Sequence, residues 1–204
     1  MGVSVKVDYD EIPIESKSIR GYAKEINSNL IEVYKEVADM HAHWYGKRYN
    51  ELVEKFNNLV PQLNQFLELI VGEVPCMYEK IANNFSEVDI NQNVTTSQEE
   101  PVIKLTKNPI INDVGMRYIE EEVTVAEKSI VSILHDTIDT MEIINRTVSQ
   151  MELVCDGAEE FNSQFSKLTD TFKQVLNNIE TQFNMLMEQD RNLMKEAEKD
   201  STVE

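Results

Sequence analysis

Basic residues are scarce in this chain: 19 lysines and arginines stand against 37 aspartates and glutamates, a formal net charge of −18 over 204 residues. That imbalance argues against an extended electrostatic grip on nucleic-acid phosphates or anionic lipid, and leaves a solvated acidic surface. Cysteine is nearly absent too. Cys76 and Cys155 fall one in each half among apolar neighbours, which points to buried thiols rather than a disulfide framework. Long hydrophobic runs are missing. The most apolar stretch, LELIVGEV, is interrupted by Glu68 and Glu73 and falls far short of the ~20 apolar residues that a spanning helix requires, so no stable membrane insertion is expected. The opening residues, MGVSVKVDYDEIPIESK, carry Asp8, Asp10 and Glu11 and no continuous apolar core, unlike a secretory signal peptide. Lys6 stands where the N-myristoylation motif wants serine or threonine.

Recognisable catalytic chemistry is equally scarce. The residues three before His41, His43 and His135 are Ala38, Met40 and Ser132, so the Glu-x-x-His signature of carboxylate-bridged metals in helical bundles is absent. His41 and His43, two apart, point to different faces of a helix. There is no phosphate-binding glycine loop, no G-x-S-x-G and no cysteine pair at zinc spacing. LHDTID at 134–139 reads as a helix surface, and acidic runs such as YIEEEV lack calcium-loop spacing. No catalytic residue, metal or cofactor is expected.

What the chain does have is apolar residues at steps of three and four. They run through Ile19, Tyr22, Ile26, Leu30, Val33, Val37, Met40 and Trp44, one face of a first helix. A second stripe follows through Tyr49, Leu52, Phe56, Leu59, Leu63, Phe66, Ile70, Val74, Met77 and Ile81, widened by Val53, Val60, Leu67 and Val71. A stripe of that width implies burial against more than one neighbour. Pro61 is expected to kink this helix or disrupt its hydrogen bonds, with Pro75, after Gly72, a second such point. The pattern fails between Asp89 and Asp113, then resumes through Ile119, Val123, Ala126, Ile130, Leu134, Ile138, Met141, Ile144, Val148, Met151 and Cys155. Asn108-Pro109 or Asp113 is a candidate cap for this third helix. Phe161, Phe165, Leu168, Phe172, Leu176, Ile179, Phe183, Leu186 and Leu193 mark a fourth, and the tail EAEKDSTVE is too polar to pack. Several of the nine methionines lie in the same register and read as core filling.

The expected fold is therefore all-α: two long helical hairpins, residues 1–89 and 114–204, joined by a linker at 90–113. Each hairpin turns at a glycine, Gly46 and Gly157, 111 residues apart, so the chain reads as an approximate internal duplication. A short alternating stretch opens each half, VSVKVDY and PVIKLTK; the two either pair as strands or run as extended chain. Gly46 is suited to a positive backbone torsion closing the first helix. Trp44 sits at the last seam position, where its ring closes the apolar layer and its indole N–H reaches water or a carbonyl.

HWYGKRYNELVEKFNNLVPQLNQFLELI, followed by VPCMYEKIANNFSEVD, resembles the Trp-X-Gly (Esx-like) superfamily of helical hairpins handled by type VII secretion systems. Trp44-Tyr45-Gly46 matches its signature tripeptide, and the second half carries Cys155-Asp156-Gly157 instead, a degenerate copy that keeps the turn and loses the tryptophan. The resemblance implies a second motif after the hairpin, Tyr-x-x-x-Asp/Glu, tied to export. Phe85-Ser86-Glu87-Val88-Asp89 stands at the matching place with phenylalanine for tyrosine. The competing reading makes Phe85 the last core residue of its helix and Asp89 a surface charge. Family hairpins pair antiparallel, which implies a four-helix bundle formed as a monomeric single-chain pseudo-dimer or as a homodimer. A helix of about 30 residues is ~45 Å long, and the linker reaches ~80 Å when extended, enough to close the pair within one chain. By this resemblance the protein is a non-catalytic substrate or component of a type VII secretion system. Its expected partner is the secretion ATPase or another helical Esx-like or toxin-targeting protein. It would leave the cell by a route independent of a signal peptide, and be cytoplasmic before export. The alternative is a cytosolic chaperone or adaptor that pairs with the helical targeting domain of a secreted toxin.

Overall fold

Asp8 starts the first helix. Its Oδ1 accepts from the amides of Asp10 at 3.0 Å and Glu11 at 2.8 Å, and its carbonyl accepts from Ile12. With those first-turn donors satisfied, α1 runs Glu11–Asp39, beginning ahead of the periodic stripe. The computed structural model describes residues 6–95, 101–150, 153–154 and 158–201. A 3₁₀ turn, Met40–Ala42, follows α1, and α2 spans Lys47–Glu68. A π-helical turn, Leu69–Glu73, leads into α3, Val74–Ile90, which Asn91 ends in the left-handed conformation. Two more helices follow, α4 (Glu120–Gln150) and α5 (Ala158–Ser201). Among the described residues, the remaining regular structure comprises four two-residue strands: β1 (Lys6–Val7), β2 (Trp44–Tyr45), β3 (Arg117–Tyr118) and β4 (Leu153–Val154). The protein is all-α, and no helix among the described residues is long and apolar enough to cross a membrane.

The chain forms two compact units, each drawn from three stretches of sequence. One comprises Met1–Ser28, Gln62–Lys104 and Thr137–Lys173, the other Asn29–Pro61, Leu105–Asp136 and Gln174–Glu204. In the first, β1 pairs antiparallel with β4, Lys6 opposite Val154 and Val7 opposite Leu153. In the second, β2 pairs antiparallel with β3, Trp44 opposite Tyr118 and Tyr45 opposite Arg117. The start of each half of the sequence is therefore laddered to the corner of the other half. The expected alternative of pairing VSVKVDY with PVIKLTK is corrected: residues 101–113 have no ladder. Neither Asn108-Pro109 nor Asp113 caps the third helix. Its first turn is set by Ile119, which donates its amide to the His43 carbonyl at 3.0 Å and accepts from Val123.

Most of the first stripe is buried, from Ile19 through Ile26, Leu30, Val33, Val37 and Met40 to Trp44. On α2 the buried set includes Tyr49, Leu52, Val53, Phe56, Val60, Leu63, Phe66 and Leu67. Pro61 lies within α2 without ending it. An irregularity falls on the π turn before Pro75, where the Val74 amide donates to the Leu69 carbonyl five residues back. A π turn takes in one more residue than an α turn, and the seam moves accordingly. The spacing predicts Met77 and Ile81 in the core, but Tyr78, Ala82 and Ser86 are buried there, with Met77, Ile81 and Phe85 half-buried. On α5, Thr169 takes the buried place expected of Leu168, and Asp190 occupies the next seam step beyond Leu186 and Met187. The predicted polar tail is exposed where its side chains are described, at 196–199, but the helix continues into it as far as Ser201.

Within residues 92–95 and 101–113, the backbone is anchored by asparagine side chains. In the first unit, the Asn27 amide group donates to the Ile103 carbonyl at 2.8 Å and accepts from the Ile103 amide at 3.1 Å. Asn83 makes the same two bonds with Thr95, at 2.9 and 3.0 Å, and also accepts from Val94. In the second unit, Asn57 does so with Asn108, both at 2.8 Å. Each carboxamide thus stands in for a neighbouring strand, satisfying backbone groups that no ladder reaches.

Candidate functional site at the tryptophan corner

The corner between α1 and α2 belongs wholly to the second unit. His43 donates its amide to Met40 at 2.9 Å, closing the 3₁₀ turn, and two strand residues carry the chain into Gly46. Gly46 has φ +123°, and a β-carbon there would lie 3.2 Å from the Met116 Cβ. Its torsion is as expected, but its place is corrected: Gly46 precedes α2, and its carbonyl accepts the Asn50 amide at 3.1 Å as that helix begins. It does not close α1, which ends at Asp39.

Trp44 is completely buried. Its ring lies parallel to Phe183, with centroids 6.2 Å apart, and edge-on to Tyr118 at 5.8 Å. The indole N–H donates to Asp190 Oδ2 at 2.7 Å, a carboxylate from α5 rather than the water or carbonyl expected. The other oxygen, Oδ1, pairs with Arg48 at 3.1 Å, and the Asp190 side chain is only 4% exposed. One buried carboxylate is thereby held by a neutral and a charged donor, an arrangement in which both oxygens are used. Arg48 also donates to Gln189 at 3.1 Å. Sequence reading missed Asp190 because its partner is remote in the chain. The available signal was an acid on the apolar register of α5, one step past Phe183, Leu186 and Met187.

Tyr49 adds a titratable element. Its hydroxyl donates to the Val37 carbonyl at 3.0 Å, and its pKa is pushed up to about 12, first by burial and then by the negative charge of Asp39. Burial raises Tyr34 in the same direction. The raised values favour the protonated phenols in the folded chain. Their contribution to stability is complete below the ~10 of an unfolded tyrosine and is lost as pH rises from ~10 to about 12. In an alkaline titration, helix loss and delayed tyrosinate absorbance are expected together in that window, and Tyr49→Phe should remove part of this dependence at a cost of about 1 kcal/mol at neutral pH. Ionisation of all seven tyrosines near pH ~10 with helices intact would contradict this account.

The second candidate locus lies in the first unit. Phe85 is half-buried and Asp89 exposed, one helical turn apart near the end of α3. Tyr9 lies near Asp89, its pKa raised by burial and then by the Asp89 carboxylate, and Val88 and Ile90 beside Asp89 are exposed. Cys155 and Gly157, the expected counterparts of Trp44 and Gly46, lie outside the described residues. Cys76 is buried, with Arg20 3.6 Å from its sulfur. His135 and Asp136 are exposed, the former paired with Glu180 at 3.0 Å. His41 pairs with Asp113 at 2.6 Å, and no group of three or more metal-ligating side chains occurs among the described residues. Compared with protein-family models, curated proteins and solved structures, the chain matches none.

Proposed function

We infer that this is a non-catalytic Esx-like protein, folded as a single-chain pseudo-dimeric four-helix bundle and recognised by a type VII secretion system. The observation that carries the reading is the reciprocal laddering. The Trp44-Tyr45-Gly46 corner of the first half receives the start of the second, Arg117–Tyr118, while the corner region of the second receives Lys6–Val7. That exchange suits two related hairpins paired antiparallel within one chain, as the resemblance implies. Residues 1–89 and 114–204 are the two hairpins, with 90–113 joining them.

Recognition in this reading falls to the end of α3. Phe85 and Asp89 form the export signal, and the π turn supports it by rotating Phe85 off the buried seam. A phenol, which Phe85 lacks, is present nearby on Tyr9, whose pKa burial and the Asp89 carboxylate raise. No covalent chemistry is required of the protein; its task is to present a folded surface to the translocating ATPase. Phe85→Ala and Asp89→Ala are expected to keep the protein out of the medium while leaving helical content unchanged. Asp89→Ala should alter stability by no more than about 0.5 kcal/mol, since the residue is exposed. Export of both variants at the parental level would overturn the assignment of these residues.

A further inference from the structure

α3 carries two seams one residue apart. In α-helical phase with Ile70, steps of three and four run through Val74, Met77, Ile81, Phe85 and Val88, an unbroken apolar stripe. Beyond Pro75 the structure buries the neighbouring stripe instead: Tyr78, Glu79, Ala82 and Ser86 are buried, Met77, Ile81 and Phe85 are half-buried, and Val88 is exposed. The extra residue taken in by the π turn Leu69–Glu73 makes the difference, since one residue is about 100° of helical rotation. The buried face is the less apolar of the two, and apolar burial alone favours the other.

What the buried face has is polar partners. Glu79 pairs with Arg20, both buried. The Tyr78 hydroxyl donates to Asn162 Oδ1 at 2.8 Å, and the Ser86 hydroxyl donates to the Gln92 carbonyl at 2.7 Å. The ion pair is what forbids the alternative. Turning α3 back by one residue carries Glu79 to the exposed place of Lys80 and leaves the Arg20 guanidinium buried on α1 without its carboxylate, a heavy cost for a charge inside a protein. Buried ion pairs give little net stability over apolar side chains, and their best-attested use is to fix register. We propose that Arg20 and Glu79 are positioning residues that select the register of α3 and so turn Phe85 outward. The register stands on burial and pairing alone; its consequence for export rests on the reading of Phe85 and Asp89 above.

The test is chemical labelling of the full chain, mapped by peptide mass spectrometry. In the parent, buried Cys76 is expected to resist alkylation by iodoacetamide while half-buried Met77 is oxidised by peroxide. Arg20→Leu leaves Glu79 buried without its cation in the observed register, so α3 turns to the other. Met77 then takes the buried place of Tyr78, and Cys76 the half-buried place of Met77. Oxidation of Met77 should slow, and alkylation of Cys76 should speed, each on the order of tenfold, with Met40 in the second unit still protected. Unchanged rates, or faster reaction at both residues as local unfolding gives, would overturn the proposal. Deleting Gly72 removes the extra residue and puts Tyr78, Ala82 and Ser86 in α-helical phase with Ile70. Arg20→Leu in that background should keep the parental labelling pattern, and a reversed pattern there would count equally against the proposal. Export of Arg20→Leu is read separately: reversed labelling with parental export would uphold the register assignment and remove Phe85 from the export signal.

Discussion

Trp44→Ala is expected to destabilise the protein by about 3–5 kcal/mol, the range for deleting a fully buried large side chain. For a chain of this length, that corresponds to a fall in thermal midpoint of roughly 6–20 °C. Two losses combine. The cavity removes the ring packing of Phe183, Tyr118 and Tyr49, and Asp190 loses the indole donor while staying buried against Arg48. Trp44→Phe separates them, keeping most of the ring and losing the N–H, and should cost about 1–3 kcal/mol. In combination with Asp190→Asn, it should show non-additivity, since the two groups share one hydrogen bond. Urea unfolding followed by far-ultraviolet circular dichroism measures all four species. A Trp44→Ala chain within about 1 kcal/mol of the parent would mean that the corner does not hold the second unit together.

Glu79→Ala carries a comparable effect in the first unit. Arg20 and Glu79 form a buried ion pair, with side chains 10% and 6% exposed, and the Arg20 Nη1 atom has no hydrogen-bond partner among the described residues. Removing the carboxylate leaves the guanidinium buried beside the Cys76 sulfur, which is expected to cost about 3–5 kcal/mol. The double variant Arg20→Met/Glu79→Leu should recover most of that loss, because paired buried charges give little net stability over apolar side chains of similar volume. The same unfolding experiment checks both. A single variant of parental stability would refute a dry ion pair; a double variant no better than the single would show that these charges are needed for more than each other.

Much of the helical framework was legible because steps of three and four require only local geometry. Ile19 to Trp44 and Tyr49 to Phe66 were read largely as they are buried. The register after Leu69 was not, since a π turn depends on how Gly72 and Pro75 accommodate the surrounding packing, and one inserted residue turns Met77 and Ile81 away from the seam. Strand partners were illegible for another reason: a two-residue ladder is too short to carry an alternating pattern, so β1 and β4 leave no trace of each other in sequence. At the corner, Trp44 and Gly46 could be named in advance, and Gly46's positive torsion followed from its lack of a β-carbon. Asp190 and Arg48 could not be joined to them by spacing alone. The three forking asparagines were equally silent, because asparagine in a helix is usually a surface residue and its partner here is backbone, which has no sequence signature.

The account's central claim is recognition by a type VII secretion system, and its most direct test is the distribution of the protein between washed cells and medium. The comparison is a host that carries the secretion ATPase against the same host lacking it, with a cytosolic marker controlling for lysis. The protein is expected in the medium only where the ATPase is present. Retention in the cells of both strains, with no marker in either medium, would contradict the claim and leave a cytosolic adaptor for a secreted toxin as the better reading.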